Sequence, residues 1–213
     1  VAGRELARDL TSPAAMNQGV RIFIRREAFR RLLWEKLESW RWHRPDNALG
    51  RAFACYDFET DLEGSLDAMV EKELTAVLLH EQGEYQVGCE LGEAWGDMVM
   101  DLAHTPAELM ARAVRDHWAD CRVTLPELVH QADAASIHFY IGGVNGMRKA
   151  LFPGLLEAYE RWSESKEWGL LLEVAREGEA HWSGLAKELL SLYGRHGDTA
   201  AQPIKAEVES ACL

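Results

Sequence analysis

Carboxylate and histidine side chains interrupt the apolar faces of several predicted helices. In the longest periodic segment, about 62–104, an apolar seam begins at Val70 and then meets Glu81 and Glu84 at helical spacing. His80 lies one turn before Glu84. Burying a bare carboxylate is costly, so carboxylates in such a seam must be paired, protonated or bound to a metal ion.

Three later helices carry similar polar residues in their apolar stripes. His117 lies among apolar residues of one helix, His130 heads the seam of the next, and Glu177 and His181 share a stripe of the last long helix. Histidines and carboxylates that face a bundle core are the ligands of carboxylate-bridged metal sites. The candidate metal ligands are therefore Glu81, Glu84, His117, His130, Glu177 and His181, with His80 and His138 as further candidates.

Two local spacings give these candidates a recognisable pattern. Glu127 and His130 form a Glu-x-x-His pair, and Glu177 and His181 form a Glu-x-x-x-His pair. Each pair places both side chains on one helix face. At these residues the chain resembles ferritin-like and haem-oxygenase-like di-iron proteins, which use an isolated Glu, a Glu-x-x-His motif and a later acid and histidine pair on successive helices. The last pair is one residue longer than the ferritin-like pattern, and the resemblance, which covers only these residues, implies an iron site.

Structural interpretations compete with the chemical ones. Glu127 is suited to be the capping-box partner of Thr124 at a helix start. Glu177 and His181 also fit a solvated pair on the flank of a helix, and a single histidine in a seam is typical of a core histidine bonded to a carbonyl. Glu84 is harder to explain structurally, because a seam shifted by one residue still leaves it at the border of the core.

These patterns support three hypotheses. The first is a helical-bundle metalloprotein that binds iron or manganese and, if redox-active, is an oxidase or oxygenase acting on a small-molecule substrate. The second is a helical interaction or scaffold protein with no active site. In it the intruding acids would form internal ion pairs with Arg25, Arg26, Arg30, Arg31 or Lys72. The third is a haem- or tetrapyrrole-binding protein, and the sequence leaves open whether the protein is an enzyme.

Composition narrows the class of partner. The 213 residues include 35 acids and 23 bases, for a net charge of −12. Charge of that sign repels phosphate backbones and anionic membrane surfaces, so we expect neither nucleic acid nor membrane as a partner. The four cysteines contain no C-x-x-C pair, which indicates reduced thiols and a cytoplasmic location. The sequence is compatible with a homodimer.

The helical periodicity predicts an all-α fold, a helical bundle of up-and-down core helices with additional short helices. We predict a polar N-terminal arm over 1–18, a single helical-bundle domain over 19–195 and a flexible C-terminal tail over 196–213. The predicted helices cover about 20–42, 48–56, 62–104, 106–120, 124–151, 155–162 and 165–193, and the last of them ends at Gly194.

Two kinds of local signal refine these helices. Thr105 and Thr124 are each followed by Pro and, three residues on, by Glu, so both are predicted N-caps. Gly88, Gly92 and Gly96 recur every four residues within one predicted helix. Because glycine costs about 1 kcal/mol per site in a helix, this recurrence favours close packing against a neighbouring helix.

Overall fold

The structure is a computed structural model that describes residues 13–213, and its fold class is all-α, as predicted from the periodicity. The helices are α1 (Arg26–His43), α2 (Ala48–Phe53), α3 (Leu62–Leu91), α4 (Glu93–Asp101), α5 (Pro106–Ala119), α6 (Leu125–His130), α7 (Ala134–Gly143), α8 (Gly146–Leu151), α9 (Pro153–Ser165), α10 (Gly169–His196) and α11 (Ala201–Ser210). A π-helix, Asp120–Thr124, joins α5 to α6, and a 3-10 turn, Gly197–Thr199, precedes α11.

A short hairpin precedes α1. Strands β1 (Ala15–Gln18) and β2 (Arg21–Ile24) pair in antiparallel fashion around Gly19, whose φ is +60°. The predicted start of the first helix near residue 20 is therefore wrong, because the pairing with β1 takes backbone groups that a helix would use. Four residues are too few for alternation to be told from helical spacing. Residues 1–12 of the predicted arm lie outside the described residues.

Contacts group the chain into two compact units, and the first comprises residues up to Glu81 together with Asp133–Gly143. Its apolar core is built from α1, α2, the segment after α2 and α3: Phe29, Leu33, Leu37, Ala52, Phe53, Phe58, Leu66, Met69 and Val70. Helix α7 packs closely on α2, since a Cβ added at Gly142 would lie 2.9 Å from the Cα of Leu49. Only glycine at position 142 lets α7 cross α2 at this distance.

The second unit comprises Gln82–Ala132 and Val144–Leu213. Helix α10 packs against α5, α9 and α11 in this unit. Three tryptophans, Trp118, Trp162 and Trp182, are fully buried. The prediction of a single domain over 19–195 stays a prediction.

Glycine breaks the longest predicted helix. Helix α3 ends at Leu91 because Gly92 has a φ of +69°, and α4 follows. Among the described residues, a Cβ at Gly88 or Gly96 would meet nothing within 4 Å. The packing interpretation of these glycines is therefore wrong, and Gly92 instead permits the left-handed backbone at a helix junction.

The helix predicted over 124–151 is three helices. Left-handed residues separate them, with φ of +52° at Ala132 and +53° at Gly146. Thr124 is also not an N-cap: the chain enters α6 through the π-helix, and the Thr124 hydroxyl donates to Asp120 Oδ1 at 2.7 Å. The Thr105 prediction is confirmed, since its hydroxyl accepts from the backbone N–H of Glu108 at 3.3 Å.

The predicted C-terminal tail contains helix α11, and its flexibility stays a prediction. Helix α10 continues past Gly194 to His196 and ends at Gly197, whose φ is +56°. In α11, Ile204 and Val208 lie four residues apart and are fully buried. Two apolar side chains on one face stabilise a helix that its short polar sequence did not predict.

Candidate metal centre and buried polar sites

Helix α3 and helix α5 approach each other at backbone distance in the second unit. A Cβ added at Gly83 would lie 2.6 Å from the carbonyl oxygen of Ala119. Glycine at this position therefore lets α3 contact the end of α5 directly. The approach brings the half-buried side chain of Glu84, next along α3, to the residues of α5 one turn before Ala119.

Arg115 on α5 joins two of these side chains. Its Nη2 donates to Glu84 Oε1 at 2.5 Å and to Asp116 Oδ1 at 3.1 Å. Burial lowers the pKa of Arg115, but the charges of Glu84 and Asp116 raise it by more, so the net direction is upward. The guanidinium is a permanent cation between two carboxylates.

Glu84 is the centre of a group that could hold a metal ion. Its ligand atom lies within 4.8 Å of one on His80, which precedes it by one turn of α3, and within 4.8 Å of one on Asp116. All three residues are half-buried. The group offers one imidazole nitrogen and two carboxylate oxygens. Of the six predicted ligands, Glu84 is the one that the described part of the chain brings into such a group.

A second polar site surrounds a fully buried carboxylate at the π-helix. The carboxylate of Asp120 forms an ion pair with Arg148 of α8 through Oδ2, and its Oδ1 accepts from Thr124. Asp120 is 0% exposed and the Arg148 side chain is 22% exposed. Arginine and a hydroxyl together supply the hydrogen bonds that a buried carboxylate needs.

His117, a predicted ligand, lies beside this site as a neutral core residue. Its Nε2 is 2.8 Å from the carbonyl oxygen of Arg148, and its ring stacks on Trp182 with centroids 5.0 Å apart. Burial and, second to it, the positive charge of Arg148 lower the pKa of the imidazole to about 4. Because Nε2 faces an acceptor, it carries the proton, and Nδ1 is buried with no hydrogen-bond partner in the part of the chain that the structure describes.

The other predicted ligands lie in unrelated surroundings. His130 and Glu177 are exposed, and Glu177 lines a cavity of about 310 Å³ beside α9 and α10. His181 is half-buried, with Nε2 at 2.7 Å from the carbonyl oxygen of Ala211. Glu81 is buried, and its backbone carbonyl accepts from Asn17 at 2.9 Å. The six-residue ligand set stays a prediction.

One ion pair of Glu84 lies outside the set that the scaffold hypothesis named. Glu84 pairs with Arg115, which the sequence reasoning did not single out. Arg26 pairs with Glu71 and Arg30 with Asp67, at exposed positions of the first unit. Glu84, the acid that interrupts the apolar seam of α3, thus has a basic partner, and α5 contributes that partner.

A third polar site is buried in the first unit and has no arginine. Glu73 of α3 is 0% exposed, and its Oε1 accepts from the Tyr56 hydroxyl at 2.9 Å. Burial raises the pKa of this carboxyl to about 7, although the Tyr56 and Ser136 hydroxyls donate to it. Sequence reasoning missed Glu73, but a signal existed: Leu66 and Met69 precede it at helical spacing and are fully buried.

The fold and these sites define an all-α protein with buried, mostly compensated polar groups. The chain belongs to the family described as "Family of unknown function (DUF6866) C-terminal domain", whose model matches residues 30–211. Comparison with curated proteins and with solved structures finds no match.

Within residues 13–213, none of the helices has the length and apolar character required to cross a membrane. In the described part of the chain, the four cysteines, Cys55, Cys89, Cys121 and Cys212, form no disulfide bond. The cytoplasmic location stays a prediction.

Proposed function

We propose that this protein binds a divalent metal ion, iron or manganese, through His80, Glu84 and Asp116. The observation that carries the proposal is the placement of Glu84, whose ligand atom lies within 4.8 Å of those of the other two. Imidazole and carboxylate ligands suit first-row divalent ions. This set has one carboxylate more and one histidine fewer than the non-haem iron triad, which makes manganese as suitable an occupant as iron.

Arg115 tunes the proposed centre. It donates to Oε1 of Glu84 and to Oδ1 of Asp116. Hydrogen-bond partners of this kind orient ligating carboxylates in metal sites. The positive charge of Arg115 also offsets the charge of the ligands, so we expect binding weaker than two uncompensated carboxylates would give.

Three protein ligands leave coordination positions for water or for a small molecule. Non-haem iron oxygenases use such open positions. With iron bound, we therefore extend the proposal to an oxidase or oxygenase reaction on a small-molecule substrate.

Metal titration tests the proposal. Chelator-treated, untagged protein is titrated with Mn²⁺, followed by the electron paramagnetic resonance signal of free Mn²⁺, and with Fe²⁺ under anaerobic conditions, followed by elemental analysis. We expect saturable uptake of one ion per chain. Glu84→Gln keeps the size of the side chain and removes its charge, so it should weaken binding at least tenfold.

The matched control is Glu90→Gln, on the same helix. Glu90 pairs with Arg122 rather than with Arg115, so its loss should leave metal binding unchanged. No stoichiometric uptake by the wild type, or equal binding by the two variants, overturns the proposal.

The Arg115 ion pair also favours a second candidate, an interaction or scaffold protein stabilised by internal ion pairs. Arg115→Met separates the two. For a metal centre, loss of the competing cation should tighten Mn²⁺ binding. For a scaffold, neither the wild type nor the variant binds an ion, and the variant only loses stability.

A further inference from the structure

Glu73 connects three segments of the first unit through one carboxyl group. It lies on α3, accepts from Tyr56 in the segment after α2, and accepts from Ser136 of α7. Its second oxygen, Oε2, is buried and has no hydrogen-bond partner among residues 13–213. A buried carboxylate with one unpartnered oxygen gains hydration whenever its surroundings open.

The next residue along the chain holds the same segment of α7. Lys72 forms an ion pair with Asp133, which immediately precedes that helix. The other oxygen of Asp133 accepts from the backbone N–H of Ala135 at 3.0 Å. Lys72 and Glu73 of α3 therefore both hold the start of α7. Lys72 does so through its ion pair with Asp133, and Glu73 through the hydrogen bond that it accepts from the Ser136 hydroxyl.

Residues 133–143, which we call the α7 arm, are attached through sharp backbone turns. The arm belongs to the first unit, whereas the chain before and after it belongs to the second. Left-handed backbone stands at Ala132, with φ of +52°, and at Gly146, with φ of +53°. An arm with turns at both ends can undock without unwinding the helices that precede and follow it.

We propose that Glu73 is a proton-operated latch for the α7 arm. With the proton bound, the neutral carboxyl keeps the arm docked. When the proton leaves, the buried charge favours an open arm in which water reaches the carboxylate.

The groups around Glu73 support this assignment. Tyr56 stays protonated, because burial and the charge of Glu73 both raise its pKa. Lys72 and Asp133 act on Glu73 with opposite signs and are paired with each other. The residues that α1 contributes to the neighbouring core are Phe29, Leu33 and Leu37, which do not titrate.

The sign and size of the effect follow from linkage. Burial raises the pKa of the docked carboxyl to about 7, from 4.5 for an exposed glutamate. Opening of the arm should therefore become more favourable as pH rises through this window and level off above it. Between pH 5 and pH 8 the opening equilibrium should shift roughly 70-fold toward the open form.

Hydrogen exchange of the arm tests the latch. Exchange of the 134–143 amides is measured by mass spectrometry from pH 5 to pH 9 and corrected for the intrinsic pH dependence of exchange. The wild-type arm should lose protection with rising pH, whereas Glu73→Gln should keep its protection throughout. Glu71→Gln is the matched control, since Glu71 is an exposed neighbour on α3 paired with Arg26, and it should behave as the wild type does.

Equal pH dependence in the wild type and Glu73→Gln overturns the latch. A second measurement covers the case in which that variant fails to fold. The carboxyl carbon of Glu73 is followed by nuclear magnetic resonance in the wild type and in Ser136→Ala, which loses a donor to the ionised form. The wild-type midpoint should lie near 7 and coincide with arm opening, and the variant midpoint should be higher. A normal carboxyl midpoint, or an arm that opens at another pH, overturns the proposal.

Discussion

Two fully buried carboxylates, one in each unit, are compensated in different ways. Asp120 in the second unit pairs with the guanidinium of Arg148 and accepts from Thr124. Glu73 in the first unit accepts from two hydroxyls, and burial raises its pKa to about 7. Both side chains are 0% exposed. Burial is the same in the two sites, so the difference lies in the charge of the partner.

The comparison shows what each site can do. An ion pair with arginine requires the ionised carboxylate, so the Asp120 site holds a fixed charge and stabilises the junction of α5 and α6. Hydroxyl dipoles compensate a charge only partly, so the Glu73 site can exchange a proton near neutral pH. The first arrangement is structural, and the second can respond to its surroundings.

The largest expected effect comes from breaking the Asp120 pair. Asp120→Asn keeps the shape of the side chain but leaves the guanidinium of Arg148 without its charge partner. We expect the free energy of unfolding, measured by urea denaturation at pH 7, to fall by about 3 kcal/mol. The control is Glu188→Gln, in the exposed pair with Arg195, which should cost less than about 1 kcal/mol. Equal losses would mean that the buried pair contributes no more than an exposed one.

Glu73→Gln should instead stabilise the protein, and only at high pH. The folded pKa is raised to about 7 from 4.5, so the stabilisation that the proton provides is complete below pH 4.5 and lost as pH rises through 7. Glu73→Gln cannot ionise, so its unfolding free energy does not fall in this way as pH rises. Relative to the wild type, it should gain about 2.5 kcal/mol in unfolding free energy between pH 5 and pH 8. Parallel stability curves for the two proteins across this range would contradict the raised pKa.

The sequence predicted the fold class better than the sites, for a physical reason. Spacings of three and four residues repeat over whole helices, so the all-α class does not depend on one residue. A site depends on rotation about the helix axis, and each residue turns the helix by about 100°. His117 was predicted as a ligand, whereas its neighbour Asp116 lies in the group around Glu84.

The π-helix and a long-range ion pair account for the remaining differences between the predicted and the observed sites. The π-helix at Asp120–Thr124 changes the helical phase, so the stripe of α5 does not continue in register into α6. Arg115, the partner of Glu84, lies 31 positions away in sequence, and no local pattern reports such a pairing. The polar intrusion at Glu84 was visible in the sequence, but its compensation was not.

His117 should give a pH dependence opposite in sign to that of Glu73. Its folded pKa is lowered to about 4 from 6.5, so its stabilisation is complete above pH 6.5 and lost as pH falls through 4. Between pH 7 and pH 5 this residue should account for about 2 kcal/mol of lost unfolding free energy. His117→Gln should remove that part of the slope, and His130→Gln, at an exposed position, should keep it. An unchanged slope in His117→Gln would show that other groups cause the acid sensitivity.

The prediction with the smallest expected effect compares the cost of tight packing near the Asp120 site with the gain from helix propensity. A Cβ at Gly178 of α10 would lie 2.6 Å from the Sγ of Cys121, which follows Asp120. A Cβ at Gly184 of the same helix would meet no described residue within 4 Å. Gly178→Ala should therefore cost about 1–2 kcal/mol of unfolding free energy, and Gly184→Ala should add about 0.5–1 kcal/mol. Thermal unfolding of both variants measures the difference. If both variants were stabilised, the packing around Cys121 would accommodate a methyl group, and the stabilisation that we attribute to the Asp120 site would have to come from its ion pair alone.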